Sequence, residues 1–340
     1  MCPHHAHQSE INNVISMKKD FIESRFMGKF RPLFVSWFIT DKCNTQCRKC
    51  RRGTGALSHA SDEVIGRVIS EAAAHKVWRI NLTGGEPLLH PRLEDIINRL
   101  NQAGVRVSVS SNGLLVPEKL DVLAGAAGVS LSLDGGPETH DAARGRGSFE
   151  AVLAALGALR EYGISAKITN VISRATTVQD IDDIVNVAIA YSAPVSFQPC
   201  LAMALGSSEP NPDSPDHDTY QTAMNRVLAH KETEARIILN SVKGLRHLMR
   251  WPQDTAITCG AGRFFCQIDP AGNLFACGNS QGVEKSVGNI LKQGLMAPFE
   301  KKSCAECKQC WCGERVEANL MFGLDPHALI NYFRTRHGYD

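Results

Sequence analysis

The run from Thr40 to Arg52, T-D-K-C-N-T-Q-C-R-K-C-R-R, places Cys43, Cys47 and Cys50 in a CxxxCxxC spacing directly after an apolar stretch. Three thiolates on one short loop form a ligand set for a soft metal. A closed structural zinc site takes four ligands, whereas an iron–sulfur cluster held by three cysteines leaves one iron open to a small molecule. The alternatives are a zinc knuckle without its last ligand, or three buried thiols. The remaining cysteines weigh against both. Of the 12 in the chain, Cys259, Cys266, Cys277, Cys304, Cys307, Cys310 and Cys312 form a second group, while Cys2 and Cys200 stand apart. Residues 1–10 are polar and His-rich with no apolar signal core, so metal binding in a reducing cytosol fits better than a disulfide framework. His4, His5 and His7 read as a frayed terminus rather than a metal site. Arg48, Lys49, Arg51 and Arg52 would offset a cluster's negative charge.

Composition narrows the class. The 340 residues suggest about two domains. Hydrophobic residues at 43% and charged residues at 21%, with no apolar run long enough to span a bilayer, imply a soluble, cytoplasmic protein without a transmembrane segment. Lys+Arg 37 against Asp+Glu 35 leaves a net charge of +2 and no electrostatic footprint for nucleic acid.

The elements that must position the cysteines follow a repeating pattern. Short β-branched and aromatic runs mark strands over Phe34–Thr40, Val77–Leu82, Val105–Ser110, Val129–Leu133, Ala166–Ile172 and Pro194–Gln198. Helical periods fall at Ser61–His75, Pro91–Gln102, Pro117–Leu123, Phe149–Tyr162 and Val178–Tyr191. This is the pattern of parallel βα repeats. Six units are too few for an eight-stranded barrel, so an open partial barrel and a doubly wound sheet are the choices. Either way the chemistry belongs at the carboxyl ends of the strands, where Thr83-Gly84-Gly85-Glu86-Pro87, Ser111-Asn112-Gly113 and Asp134-Gly135-Gly136-Pro137 form a polar, Gly-rich rim beside the cysteine loop. Each alone reads as a turn; together they make a cup for a polar ligand. Residues 1–32 read as an extension with an amphipathic helix over Ile11–Phe30, 33–204 as the strand–helix core, and 205–254 as a linker with a helical segment, opened by the Pro/Ser/Asp-rich run Leu205–Asp218. Residues 255–340 read as a cysteine-rich domain with a closing helix over Pro326–Arg336.

With these motifs in order, the chain resembles the radical S-adenosylmethionine enzymes. The resemblance rests on the CxxxCxxC loop, on Gly84-Gly85-Glu86-Pro87 and on Ser130-Leu131-Ser132-Leu133-Asp134-Gly135, followed by His140-Asp141 and Arg144-Gly145, and covers roughly Leu33 to Pro199. It implies a TIM-like partial (β/α)6 barrel in which Cys43, Cys47 and Cys50 hold a 4Fe–4S cluster that binds S-adenosylmethionine. It further implies that Gly84 and Gly85 let backbone approach the methionine moiety, that Glu86 contacts its ammonium group, and that Asn112, Ser132, Asp134 and Arg144 serve the ribose and carboxylate. The second group resembles the SPASM and twitch auxiliary-cluster extensions: Cys259, Gly272 and Cys277 match their opening, and Cys304 and Cys307 the next pair. Cys310 and Cys312 crowd behind, without the later cysteine of a full SPASM domain. Seven cysteines exceed one cluster and fall one short of two, so one or two auxiliary 4Fe–4S clusters are expected, with a zinc ribbon as the alternative. Cys200, after the sixth strand, is either a buried inert thiol or a hydrogen-atom donor.

The resemblance implies a flavodoxin- or ferredoxin-type electron donor and an oxidation or epimerisation. With only some thirty residues before the first strand, no room is left for a peptide leader-binding domain, and a small-molecule, sugar or lipid-like substrate is expected over a peptide. A maturase of a ribosomally made peptide is the alternative, and a non-catalytic electron-transfer protein the alternative of another class.

Overall fold

A computed structural model of the chain describes Phe26 and residues 32–50, 58–203, 209–253, 257–277, 286–300 and 310–336. The strand–helix alternation appears as β1 (Phe34–Thr40), α1 (Asp62–Ala74), β2 (Arg79–Gly84), α2 (Leu93–Gln102), β3 (Arg106–Ser111), α3 (Leu120–Leu123), β4 (Gly128–Ser132), α4 (Pro137–Arg144), α5 (Ser148–Tyr162), β5 (Ala166–Ile172), α6 (Val178–Ala190) and β6 (Val195–Pro199). These six strands pair in parallel in the order β6-β5-β4-β3-β2-β1. An order that never reverses decides between the two expected architectures. Right-handed crossovers that all step the same way put every helix on one face and curl the sheet around the other, whereas a doubly wound sheet reverses its order and carries helices on both faces. The core is therefore an unclosed partial barrel.

The pleat sorts the side chains. On β1, Val35, Trp37 and Ile39 are buried, while Phe34, Ser36 and Phe38 are half-buried on the opposite, concave face. Ser36, Asn81 and Ser108 stand side by side in register on β1, β2 and β3. Asn81 Oδ1 accepts from Ser108 Oγ at 3.1 Å and Ser110 Oγ at 3.2 Å. A polar band thus crosses the concave face between aromatic residues of β1, and the convex face is apolar.

The C-terminal part of the chain joins the same sheet. After α7 (His217–Thr233) and α8 (Val242–Leu248) come β7 (Phe265–Ile268), β8 (Asn273–Phe275), β9 (Gly288–Asn289), α9 (Ile290–Gln293), α10 (Ala297–Glu300), α11 (Gly313–Phe322) and α12 (Pro326–Arg336). Strand β7 pairs in parallel with β1, Phe34 against Phe265 and Trp37 against Ile268, so β7, β8 and β9 extend the same sheet to nine strands. The stretch read as a linker is likewise built in. Residues 237–239 run beside β6, with Val195 N donating to Ile237 O at 2.7 Å and Leu239 N to Val195 O at 2.8 Å. The Asn240 side chain accepts from Phe197 N at 2.8 Å and donates to Phe197 O at 3.1 Å. Together they cover an edge that would otherwise present open backbone groups.

The first turn of α11 lies across the concave face. Gly313 N donates to Gln198 Oε1 of β6 at 2.9 Å, Glu314 pairs with Lys167 of β5, and Arg315 Nη2 donates to Ser36 Oγ of β1 at 2.8 Å. A Cβ on Gly313 would fall 2.6 Å from Phe197 O, so only glycine permits this approach.

Several elements differ from the sequence reading. The helix expected over Pro117–Leu123 shrinks to α3, and Pro137, read as part of a turn, instead opens α4 from its first turn, where a missing N–H costs nothing. Apart from Phe26, the helix expected over Ile11–Phe30 lies outside the described residues. Among the described residues no helix is long and apolar enough to cross a membrane.

Candidate active site

The cysteine loop leaves β1 at its carboxyl end and is fixed at its root by backbone pairing. Gly85 N donates to Thr40 O and Glu86 N to Lys42 O, both at 2.8 Å, while Asp41 N donates to Ser58 O at 2.9 Å on the returning strand segment. Gly84 holds φ at +145°, and a Cβ there would lie 2.1 Å from Thr40 O; one on Gly85 would lie 2.2 Å from Lys42 O. The space a side chain would need is filled by the β1 backbone. These glycines let β2 press against the root of the loop.

Glu86 is fully buried. Its Oε1 accepts from Leu88 N at 3.2 Å and Ser111 Oγ at 2.9 Å, and its Oε2 from Asn112 N at 2.8 Å. Burial raises its carboxyl to about 7. These bonds make Glu86 a clamp between the ends of β2 and β3. Asn112, also buried, carries the clamp onward: its Nδ2 donates to Asn44 Oδ1 at 2.7 Å, inside the cysteine loop.

The three thiols of the loop are half-buried. Thr45 Oγ1 lies 3.2 Å from Cys43 Sγ and 3.6 Å from Cys47 Sγ, and Cys50 N donates to Cys47 O at 3.1 Å. Arg144 Nη1 reaches Cys47 Sγ at 3.9 Å. Asp134, 1% exposed, sits 2.5 Å through Oδ2 from Arg144 Nε and 2.6 Å from Lys49 Nζ, the latter an ion pair rather than a well-directed hydrogen bond. Burial alone would raise the Asp134 carboxyl, but Arg144 and Lys49 hold it well below the usual carboxylate range. Burial likewise opposes the Arg144 charge, yet Asp134, then Cys47 and Cys50, raise its pKa. Two cations on one carboxylate leave a net positive base against the thiols, which suits thiolates carrying a cluster. Among the described residues, no three His, Cys, Asp or Glu side chains are placed to hold a single metal ion. A cubic four-iron cluster spreads its ligands over separate irons, and three thiols on one loop over a cationic base fit that group. Of the residues expected at S-adenosylmethionine, Ser132 and Arg144 retain exposed surface, while Asn112 and Asp134 are committed to the loop and its counter-charges.

Asn44 and Thr45 were not singled out as site residues from the sequence, although both lie within the cysteine loop itself, and Lys49 was named only as one of four charges beside it. Asn211 was missed as well, with no local signal to mark it. Its Nδ2 donates to Cys200 Sγ at 3.2 Å. Cys200 is 2% exposed, and burial raises its thiol to about 11, with Lys49 and Asp134 among the charges acting on it. It therefore lies at the rim near the loop, as a neutral thiol beneath Asn211.

In the second group, Cys304 and Cys307 lie outside the described residues. Asn319 of α11 accepts from Gly260 N at 2.8 Å and donates to Cys310 Sγ at 3.5 Å, which brings the Cys259 turn to Cys310. Burial pushes the Cys312 thiol up to about 11, and Cys277 acts on it too. Cys266 is set apart from these. In β7 it pairs with Val35, on the buried face of the pleat, is fully buried, and has its thiol raised to about 12 by burial. Strand geometry makes it a core residue, and the expectation of a ligand there is revised.

Comparison with known proteins adds ancestry to this geometry. The profile of the radical SAM superfamily matches residues 37–188. The chain is 29% identical to mycofactocin maturase MftC of Mycobacterium tuberculosis, over 80% of this chain and 71% of that protein, and 29% identical to its Mycobacterium ulcerans counterpart, over 92% and 91%. It is also 29% identical to the AdoMet-dependent heme synthase of Methanosarcina barkeri, over 79% and 82%. Streptococcus suis SuiB, solved bound to precursor peptide SuiA, shares the fold with a TM-score of 0.63 at 16% identity, over 88% of this chain and 70% of that one.

Proposed function

We propose, from the premise that the chain belongs to the radical SAM superfamily, that it is a maturase which oxidatively modifies a ribosomally made peptide. The observation that carries this reading is the likeness to mycofactocin maturase MftC over more than nine-tenths of both chains, because it spans the C-terminal cysteines as well as the barrel. It takes the peptide alternative over the small-molecule preference. The short stretch before β1 does not weigh against it, since a separate recognition protein can present a peptide.

Cys43, Cys47 and Cys50 hold the 4Fe–4S cluster, Lys49, Asp134 and Arg144 set its electrostatic base, and Ser132 and Arg144 offer polar contacts to S-adenosylmethionine. When bound, cluster and S-adenosylmethionine supply homolytic removal of a hydrogen atom from an unactivated carbon. The chain's own contribution is positional: Glu86 and the Gly84-Gly85 pair lock the loop root, and the barrel wall keeps water from the reacting carbon. Cys259, Cys277, Cys304, Cys307, Cys310 and Cys312 would hold one or two auxiliary clusters, which would supply an acceptor for the second electron of an oxidation, with a flavodoxin- or ferredoxin-type protein as the donor of the first.

The test is an anaerobic assay of reconstituted protein with S-adenosylmethionine, reductant and deuterated peptides encoded beside its gene. Deuterium should appear in 5′-deoxyadenosine together with a mass loss in the peptide. If a haem precursor, the substrate class favoured by the heme synthase likeness, gives that transfer and peptides do not, the maturase reading fails. The same assay in D2O decides Cys200: loss of solvent-derived deuterium from product in Cys200→Ala marks a hydrogen donor, and an unchanged label marks a structural thiol.

A further inference from the structure

We propose that the cavity beneath the first turns of α11 is a carboxylate-binding subsite anchored by Arg315, and that it holds an acidic group of the substrate away from the reacting carbon. The cavity encloses about 230 Å³ and is lined by Ser36, Asn81, Ser108, Ser196, Asn240 and Arg315. This is just under the roughly 300–1,000 Å³ of typical small-molecule sites, so it takes one polar group rather than a folded peptide.

Arg315 is the reason to name the ligand's chemistry. It is half-buried, its guanidinium lies 4.1 Å over the Phe265 ring, and its Nη2 donates to Ser36 Oγ at 2.8 Å. Among the described residues no carboxylate pairs with it. The ring and the hydroxyl fix the planar fork at the wall of a cavity whose lining is otherwise largely apolar, from Phe34, Val129 and Leu239 among others. A partly buried cation without a counter-ion is costly, and a carboxylate supplies both charge and bidentate geometry.

The other charged groups on the wall have partners of their own. Lys167 pairs with Glu314, Arg79 lies over Trp78 at 4.8 Å, and Glu317 Oε1 accepts from Ser241 N at 2.8 Å and Ser241 Oγ at 3.1 Å. The planar fork of Arg315 matches a carboxylate bidentately, which is the ground for naming a carboxylate. Ser36 precedes Thr40 by four residues on β1, so at about 3.3 Å per residue the anchor sits roughly 13 Å below the root of the cysteine loop. The anchored group is therefore not the reacting one, and the substrate spans that length. The subsite rests on the maturase reading only in calling its ligand a substrate.

Binding reads the subsite without turnover. Reconstituted, S-adenosylmethionine-saturated holoenzyme is titrated calorimetrically with three probes: acetyl-triglycine as free acid, acetyl-Gly-Glu-Gly amide, and acetyl-triglycine amide as the neutral control. At least one acidic probe should bind roughly tenfold or more tighter than the neutral one, and the better acid tells a terminal carboxylate from a side-chain one. Arg315→Gln should abolish that preference, and Arg315→Lys should keep part of it; iron content and melting of both variants report folding. Equal binding of acid and amide by the wild type, an unchanged preference in Arg315→Gln, or tighter binding of inorganic phosphate overturns the proposal. If Arg315→Gln does not fold, an undiminished preference in Arg315→Lys overturns the bidentate anchor. Failure to modify any peptide would sink the maturase reading and leave a measured carboxylate preference standing.

Discussion

Asp134 carries the electrostatics of the cysteine loop at the scale of single residues. It is buried between two cations, and each of them is anchored by it. Removing one member of a buried charge cluster leaves the others uncompensated, which typically costs about 3–5 kcal/mol. Asp134→Asn should therefore lower stability by about 3 kcal/mol in urea melts and reduce the iron retained on reconstitution. A variant that melts like wild type with full iron content would show that the two cations find other partners. Asp134 and Arg144 were legible in the sequence as members of a motif, but Lys49 was legible only as one of several charges, because its partner is 85 positions away in the chain. Cys266 shows the opposite limit. Its residue type and spacing suggest a ligand, and only the pleat of β7 turns it into the core.

At the scale of elements, α11 joins the parts that the sequence left separate. Its first turn crosses the concave face, and Glu317, further along, ties it to Ser241 at the start of α8. Burial raises the Glu317 carboxyl from its ordinary 4.5 to about 7. The folded protein therefore keeps a proton that the unfolded chain releases, and stability is highest below 4.5 and falls as pH rises through about 7. Glu86 adds a change of the same sign over the same window. Lys231, lowered by burial to about 8, acts above it, where stability gains with rising pH. Glu317→Gln keeps an oxygen for Ser241 and should remove about half of the fall between pH 5 and pH 7.5, a change of at most about 3 kcal/mol, read by urea melts at each pH. The same slope in variant and wild type would contradict the assignment. None of this was legible beforehand, because residues 313–322 follow a cysteine cluster without a capping signal, and Cys312 in the cap position makes no side-chain cap bond.

At the scale of the whole molecule, the nine-stranded sheet runs through the boundaries expected near residues 204 and 255. With β7 gone, β1 would become an open edge and the concave face would lose α11. A fragment ending at residue 256 should thus lack cooperative unfolding, whereas the full chain should melt in one transition by calorimetry; a fragment with its own sharp transition would restore the independent core. The sequence by itself determined the chemistry and the repeating frame. Thiol spacing is local, and the period of β-branched and apolar residues records which face of each strand or helix is buried, so the cysteine triad, all six barrel strands and the polar rim could be read directly. The tertiary structure alone decided that β7 completes the β1 edge, that Glu86 and the paired glycines clamp the root of the cysteine loop, that Cys266 is core, and that Arg315 enters the barrel. Those outcomes depend on which distant segments meet, and a one-dimensional pattern encodes burial far better than it encodes the partner that provides it.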